Sequence, residues 1–170
     1  MLANATPLTS KAYRKFGDVI SARADVKPRS ANMGTADRFN WLSALENRRP
    51  KKAKPNLCVF HCRPQIKRGQ SSFEARTLEK HPDSTQVFVP MGGATGYLVL
   101  VCLGADKPDL STFRAFTATS AQGITYHPGV WHHPLVAMHA VRDFACLVWE
   151  DGSAGDTKVV KLPNPVSIGL

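Results

Sequence analysis

The arrangement of apolar positions changes character near residue 57. Beyond it come "LCVFHCRPQ" (57–65), "QVFVPM" (86–91), "YLVLVCL" (97–103), "STFRAFTA" (111–118), "ITYH" (124–127), "LVAMHAV" (135–141), "FACLVWE" (144–150) and "TKVVKL" (157–162). These runs are short, rich in β-branched and aromatic residues, and bounded by turn-formers, so each reads as a strand. "STFRAFTA" alternates, with Phe113, Ala115 and Thr117 on one face and Thr112, Arg114, Phe116 and Ala118 on the other. Many short strands at near-regular spacing predict a sandwich or closed barrel. Ahead of them, "PLTSKAYRKFGDVI" predicts a short helix, capped by Thr9 or Ser10 and ended by Gly17. Residues 21 to 56 are polar and loop-rich, with one helical turn expected around "DRFNWLSAL". The expectation is a mainly-β chain with a short N-terminal helix, forming one domain over residues 1–170.

Composition narrows the functional classes. No apolar run approaches the roughly eighteen residues that a membrane helix needs, and "MLANATPLTSKAYRKF" has no apolar signal core. The four cysteines lie inside apolar runs and form no C-x-x-C pair. They read as buried reduced thiols of a cytoplasmic protein. The net charge is +9, but five of those charges sit in "NRRPKKAKP" (47–55). No aromatic residue interleaves them to stack on bases, so the stretch reads as a solvated basic loop and no nucleic-acid partner is expected.

"ITYHPGVWHHPL" (124–135) concentrates three of the six histidines among two prolines, a glycine and a tryptophan. Such a stretch is either a proline-rich loop or the histidine-bearing mouth of a β-barrel. Glu79-x-His81, then Gln86 and Gly93, resembles the first motif of cupin barrels, with Glu79 in place of a histidine and Gln86 in place of the glutamate. Gly129-x-x-His132 resembles the second, although Val136 replaces its asparagine. Alternate strand residues share a face, so 79 and 81 are expected to point the same way. Glu79, His81, Gln86 and His132 are then a candidate divalent-metal set, weaker than three histidines and a carboxylate but suited to Mn or Ni. His127 and His133 read as structural or rim residues, with His133 facing away from His132. His61 and His139 are isolated.

Longer motifs sharpen the resemblance. "LEKHPDSTQVFVPMGG", "KPDLSTFRAF" and "GVWHHPL", in that order, resemble the ureidoglycolate lyase family, as do "FGDVI", "ANMGTADRF" and "CRPQ". The resemblance covers most of residues 9 to 150, but neither the basic loop nor the tail after 155. It implies a cupin-like (RmlC-like jelly-roll) β-barrel, a homodimer, and cleavage of (S)-ureidoglycolate to glyoxylate and urea in allantoin breakdown. That chemistry needs a cradle for the substrate carboxylate, a base for its hydroxyl proton and an acid for the departing urea nitrogen. His81, His132, Glu79 and Gln86 are the catalytic candidates. Asn32, Arg38, Arg63, Arg114 and Tyr126 are the substrate-binding candidates, an arginine being suited to bidentate carboxylate binding. No organic cofactor is expected. The competing readings are another cupin-type metal-dependent enzyme and a non-enzymatic barrel that binds a small carboxylate.

Overall fold

A computed structural model describes residues 1–170 as fifteen strands and one short helix. In chain order they are β1 Leu2–Pro7, α1 Ser10–Tyr13, β2 Val19–Ile20, β3 Arg29–Ala31, β4 Ala36–Arg38, β5 Lys54–Cys62, β6 Pro64–Ile66, β7 Ser72–Lys80, β8 Gln86–Pro90, β9 Tyr97–Cys102, β10 Arg114–Ala118, β11 Gly123–Tyr126, β12 Trp131–His132, β13 Val136–Met138, β14 Arg142–Glu150 and β15 Lys158–Gly169.

Six strands close on themselves. The order β10-β1-β15-β7-β12-β9 is completed by an antiparallel pairing of β9 with β10, while β13 and β6 extend from β9. A second sheet, β2-β11-β8-β14-β5, lies against this ring. The run "YLVLVC" shows how the two share a wall. Tyr97, Val99 and Val101 enter a core cluster with Phe88, Tyr126 and Phe144 of the second sheet. Leu98, Leu100 and Cys102 enter another with residues of the ring strands, among them Ala75, Ala115, Trp131 and Ile168. All six β9 residues are buried, as a continuous apolar run requires when both faces of a strand are covered. β10 divides in the same way, with Ala115 facing the ring interior and Phe116 and Ala118 facing the second sheet. The expected mainly-β barrel with a short N-terminal helix is therefore what the chain forms.

Several local expectations change. The helix spans only Ser10–Tyr13, and Thr9 Oγ1 caps it by accepting from the Ala12 amide at 3.2 Å. Gly17 is not a left-handed stop: a Cβ there would lie 1.7 Å from the Thr125 carbonyl oxygen, so glycine is needed for close approach. "DRFNWLSAL" forms no helical turn; its first residues end a β3–β4 hairpin and the rest is irregular. β1, β2, β3, β4, β7 and β12 are additional strands. β7 reads as polar because its outward positions carry Glu74 and Arg76, while Phe73, Ala75 and Leu78 supply the buried face. β15 runs past "TKVVKL" to Gly169 through a register shift between Lys161 and Val166, where Pro163 and Pro165 interrupt the ladder.

Candidate active site

The end of β7 and the two residues of β12 build the site. Leu78 and Lys80 turn toward the ring interior, where the Lys80 ammonium stands 4.7 Å from the Trp131 ring centroid and donates to the Ala105 carbonyl. Glu79 therefore points to the opposite face, as does His132, its register partner. The chain leaves β7 at His81, and the three side chains converge, with their ligand atoms all within 4.8 Å of one another. Tyr126 of β11 stacks on His132 at 3.8 Å with 6° between the planes, and the His81 ring lies 5.8 Å from the same His132 ring, 21° from parallel. Gln86 stands opposite Tyr126 in the β8–β11 ladder. Its Oε1, the Tyr126 hydroxyl and His132 Nε2 are all buried without a hydrogen-bond partner. Orphaned buried polar atoms are costly, and here two lie on side chains stacked together beside a carboxylate.

The stretch "HPGV" supplies the turn that the histidine-rich segment was expected to contain. Val130 N donates to His127 O at 3.1 Å, Pro128 occupies the second position, and Gly129 the third with φ +82°. That is a type II turn, which demands a positive φ where the glycine stands. Gly129 N also donates to His81 O, tying the turn to the β7 exit.

Backbone carbonyls assign both imidazole tautomers. His132 Nδ1 lies 3.0 Å from Val130 O, and His81 Nδ1 lies 3.0 Å from Asp156 O. A carbonyl only accepts, so each Nδ1 carries the proton and each Nε2 presents a lone pair to the site. Burial, aided by the His132 charge, lowers the His81 pKa against the opposing pull of Glu79. Burial also acts to raise Glu79, but His132, His81 and His133 together outweigh it and hold the carboxyl below its ordinary range. His132 Nε2 lies 3.6 Å from Glu79 Oε1, within ion-pair range and beyond a hydrogen bond. Burial holds the Tyr126 phenol well above its usual pKa, so it remains an O–H donor.

Among the flanking histidines, His133 sits edge-on to Phe73 of the ring cluster and faces away from His132. His127 reaches Asp18 at 3.4 Å and ties its amide to Phe16 O. His61 pairs with Asp143 at the surface, and His139 is exposed in a left-handed conformation.

The remaining substrate-binding candidates lie at different places. Asn32 sits in the 3-10 turn at the tip of the β3–β4 hairpin, exposed and with φ 49°. Arg38 faces Arg29 across that hairpin, and Arg63 is exposed between β5 and β6. Arg114 is exposed on β10, but Glu79, His132, Val101 and Arg114 form one cross-strand row. That row puts it on the His132 face, about 10 Å away by strand spacing.

One feature of the basic loop departs from expectation. Lys51 and Lys52 are exposed, but Arg49 is drawn into a cluster with Asp83, Asp151 and Asp156. The carbonyls of Val130 and Asp156 that orient the imidazoles leave no mark in the sequence, because every residue has one.

A sequence model described as ureidoglycolate lyase matches residues 1–169. The ureidoglycolate lyase of Saccharomyces cerevisiae is 37% identical over 166 residues, covering 86% of this chain and 85% of the yeast protein. That of Salmonella typhimurium is 36% identical over 164 residues, covering 96% of each. Among solved structures, a TDP-quinovose 3,4-ketoisomerase from Campylobacter jejuni gives a TM-score of 0.42 at 12% identity, covering 87% of this chain and 92% of its own. RmlC from Streptococcus suis gives the same TM-score and identity, covering 89% of this chain and 75% of its own. On the match across nearly its whole length and on these relatives, the chain belongs to the ureidoglycolate lyase family.

Proposed function

We propose that the chain is a ureidoglycolate lyase that cleaves (S)-ureidoglycolate to glyoxylate and urea, a carbon–nitrogen lyase of the amidine-lyase class. The observation that carries the chemistry is the pair of imidazoles with Nδ1–H tied to backbone carbonyls and bare Nε2 atoms beside Glu79. In the elimination, His81 Nε2 takes the hydroxyl proton, the C–O bond becomes the aldehyde carbonyl, and the C–N bond breaks. The same proton then passes from His81, by way of the His132 Nε2 lone pair, to the departing urea nitrogen, with Glu79 stabilising the transient imidazolium. Both imidazoles end neutral, as they began, so no proton is gained or lost. The Tyr126 hydroxyl and Gln86 amide, both with unmatched polar atoms, orient the ureido group. Arg114, in the His132 row, is the in-chain arginine best placed for the substrate carboxylate. Asn32 and Arg38, on the β3–β4 hairpin, and Arg63, between β5 and β6, lie outside that row.

The same donors also fit a divalent first-row ion: imidazole nitrogens of His81 and His132 and a carboxylate oxygen of Glu79, with Gln86, whose Oε1 is buried and unpartnered, as the expected fourth donor. Such an ion would polarise the substrate hydroxyl. A homodimer fits the free outer edge of β5, which pairs only with β14 and exposes Leu57 and Val59. Cytoplasmic residence fits the four free cysteines.

The deciding experiment supplies racemic ureidoglycolate to the purified protein and follows glyoxylate, urea and ammonia. Equimolar glyoxylate and urea from one enantiomer, without ammonia, is the expected result. Failure to release glyoxylate, even with Mn or Ni added, would overturn the assignment. Loss of activity on chelation, restored by one of those ions, marks the metal-bound form of the site, whereas retained activity marks acid–base catalysis by the bare side chains.

A further inference from the structure

Arg49 is the member of the basic loop that does not face solvent freely. Its guanidinium reaches Asp83 at 3.4 Å and Asp151 at 3.0 Å, and hydrogen-bonds Asp156. These partners lie on both sides of His81. Asp83 follows it by two residues, on a segment held to the loop by Arg48 N to Asp83 O (2.7 Å) and Thr85 N to Glu46 O (3.0 Å). Asp156 closes the connection between β14 and β15, and its own carbonyl accepts the His81 Nδ1–H.

The Asp156 carboxylate is held further by the amides of Asp151 (3.1 Å) and Gly152 (2.7 Å), so the guanidinium and two N–H groups fix the residue whose carbonyl orients the ring. Without Arg49, three carboxylates would face one another with no counter-charge, and repulsion would open the connection and move that carbonyl. In water an imidazole favours the Nε2–H tautomer, which would occupy the lone pair that the site needs.

We propose that Arg49 is a positioning residue for the reaction, fixing the ring orientation and Nδ1–H tautomer of His81 through Asp156. It touches no reacting atom. The proposal rests on the reading of His81 as a working imidazole, but its structural half is tested without turnover.

The experiment compares wild type with Arg49→Gln and Arg49→Lys, using Arg48→Gln, an exposed neighbour, as control. Nitrogen-15 imidazole spectra report the tautomers of His81 and His132. In both Arg49 variants His81 is expected to shift toward Nε2–H while His132, held by Val130, is unchanged. kcat should fall on the order of 10- to 100-fold, as when an outer partner of a working histidine is lost, with KM little altered. Arg48→Gln should match wild type in spectrum and rate. If Arg49→Gln does not fold, Arg49→Lys retains a charge that cannot span three carboxylates and carries the test. Retention of the wild-type His81 tautomer in a folded Arg49 variant overturns the proposal, as does a kcat loss matched by the folded fraction alone. A wild-type protein inactive on ureidoglycolate would sink the functional assignment, while the spectra would still decide whether Arg49 sets the tautomer.

Discussion

At His132 two requirements meet, since the ring must be buried enough to exclude water and yet keep an acceptor free. Stacking on Tyr126 and the Val130 carbonyl satisfy the ring face and Nδ1, leaving Nε2 directed toward Glu79. His81 meets the same requirement with a different carbonyl. The resemblance to the cupin motif spacing made Glu79, His81 and His132 legible in the sequence, although the pattern of the chain itself marked neither β7 nor β12 as a strand. Their tautomers were not legible, because they depend on main-chain atoms brought from residues 130 and 156. His81→Ala is expected to lower kcat on the order of 100- to 10,000-fold, the usual contribution of a general acid or base. Because His81 lies at a loop entry rather than in an apolar cluster, its thermal midpoint should move little. Steady-state glyoxylate release together with a thermal melt checks both. A variant with near-normal turnover would leave His132 and Glu79 as the working pair.

Elements differ in how much of their placement the chain's pattern carries. β9 was legible because its run is apolar at every position, and β14 because Phe144 to Trp149 form another continuous apolar run, whose residues alternate between buried and half-buried. β7 was hidden by charged residues on its outward face, and β1 by lacking any apolar pattern of its own; β1 is a strand because it pairs in parallel with both β10 and β15. The segment around Gly17 shows how such distant pieces are locked together. Tyr13 Oη donates to Thr125 O at 3.0 Å, Asp18 N donates to Thr125 Oγ1 at 2.9 Å, and Gly17 lies against the same peptide. A methyl group there would meet a carbonyl that β11 cannot move without losing its ladder to β2 and β8. Gly17→Ala is therefore expected to destabilise by about 3 kcal/mol or more, at the upper end of overpacking costs, as measured by denaturant unfolding. Because Thr125 precedes Tyr126, the same variant should also weaken the stack on His132 and lower kcat in the folded fraction.

For the whole molecule, the free edge of β5 and the pH response matter most. Leu57 and Val59 are 76% and 59% exposed on a nine-residue strand with one unpaired edge. Proteins seldom leave such an edge uncovered, so the proposed homodimer across β5 predicts that the wild type sediments as a dimer and Leu57→Glu with Val59→Lys as a monomer. The pH response follows from where protons bind. Burial lowers the pKa of His81 and His133 from the ordinary 6.5. Glu79 and Asp156 are also lowered, because His132 in one case and Arg49 in the other outweigh the effect of burial; Asp151 is lowered chiefly by Ser153. For each of these groups the unfolded chain takes up its proton at a higher pH than the native state. Their contribution to stability is thus complete above the unfolded value and is lost as pH falls through the native one. The acid limb should have two stages, beginning below pH 6.5 with the histidines and steepening below pH 4.5 and 3.8 with the carboxylates. On the alkaline side, burial raises Tyr13, Tyr97, Tyr126 and the thiols of Cys62, Cys102 and Cys146. The unfolded chain then loses protons first, from about pH 9 for the thiols and 10 for the phenols, and stability falls as pH rises; the lowered pKa of Lys80 opposes this in part. Calorimetric midpoints across the pH range, taken with chelator so that no ion holds His81 or His132, are expected to trace a plateau around neutrality with a shoulder that opens below pH 6.5. The double variant His81→Gln with His133→Gln should remove the shoulder and leave the carboxylate limb. A wild-type midpoint that stays level from pH 7 to 5 would mean that these two imidazoles do not titrate differently in the native and unfolded chains.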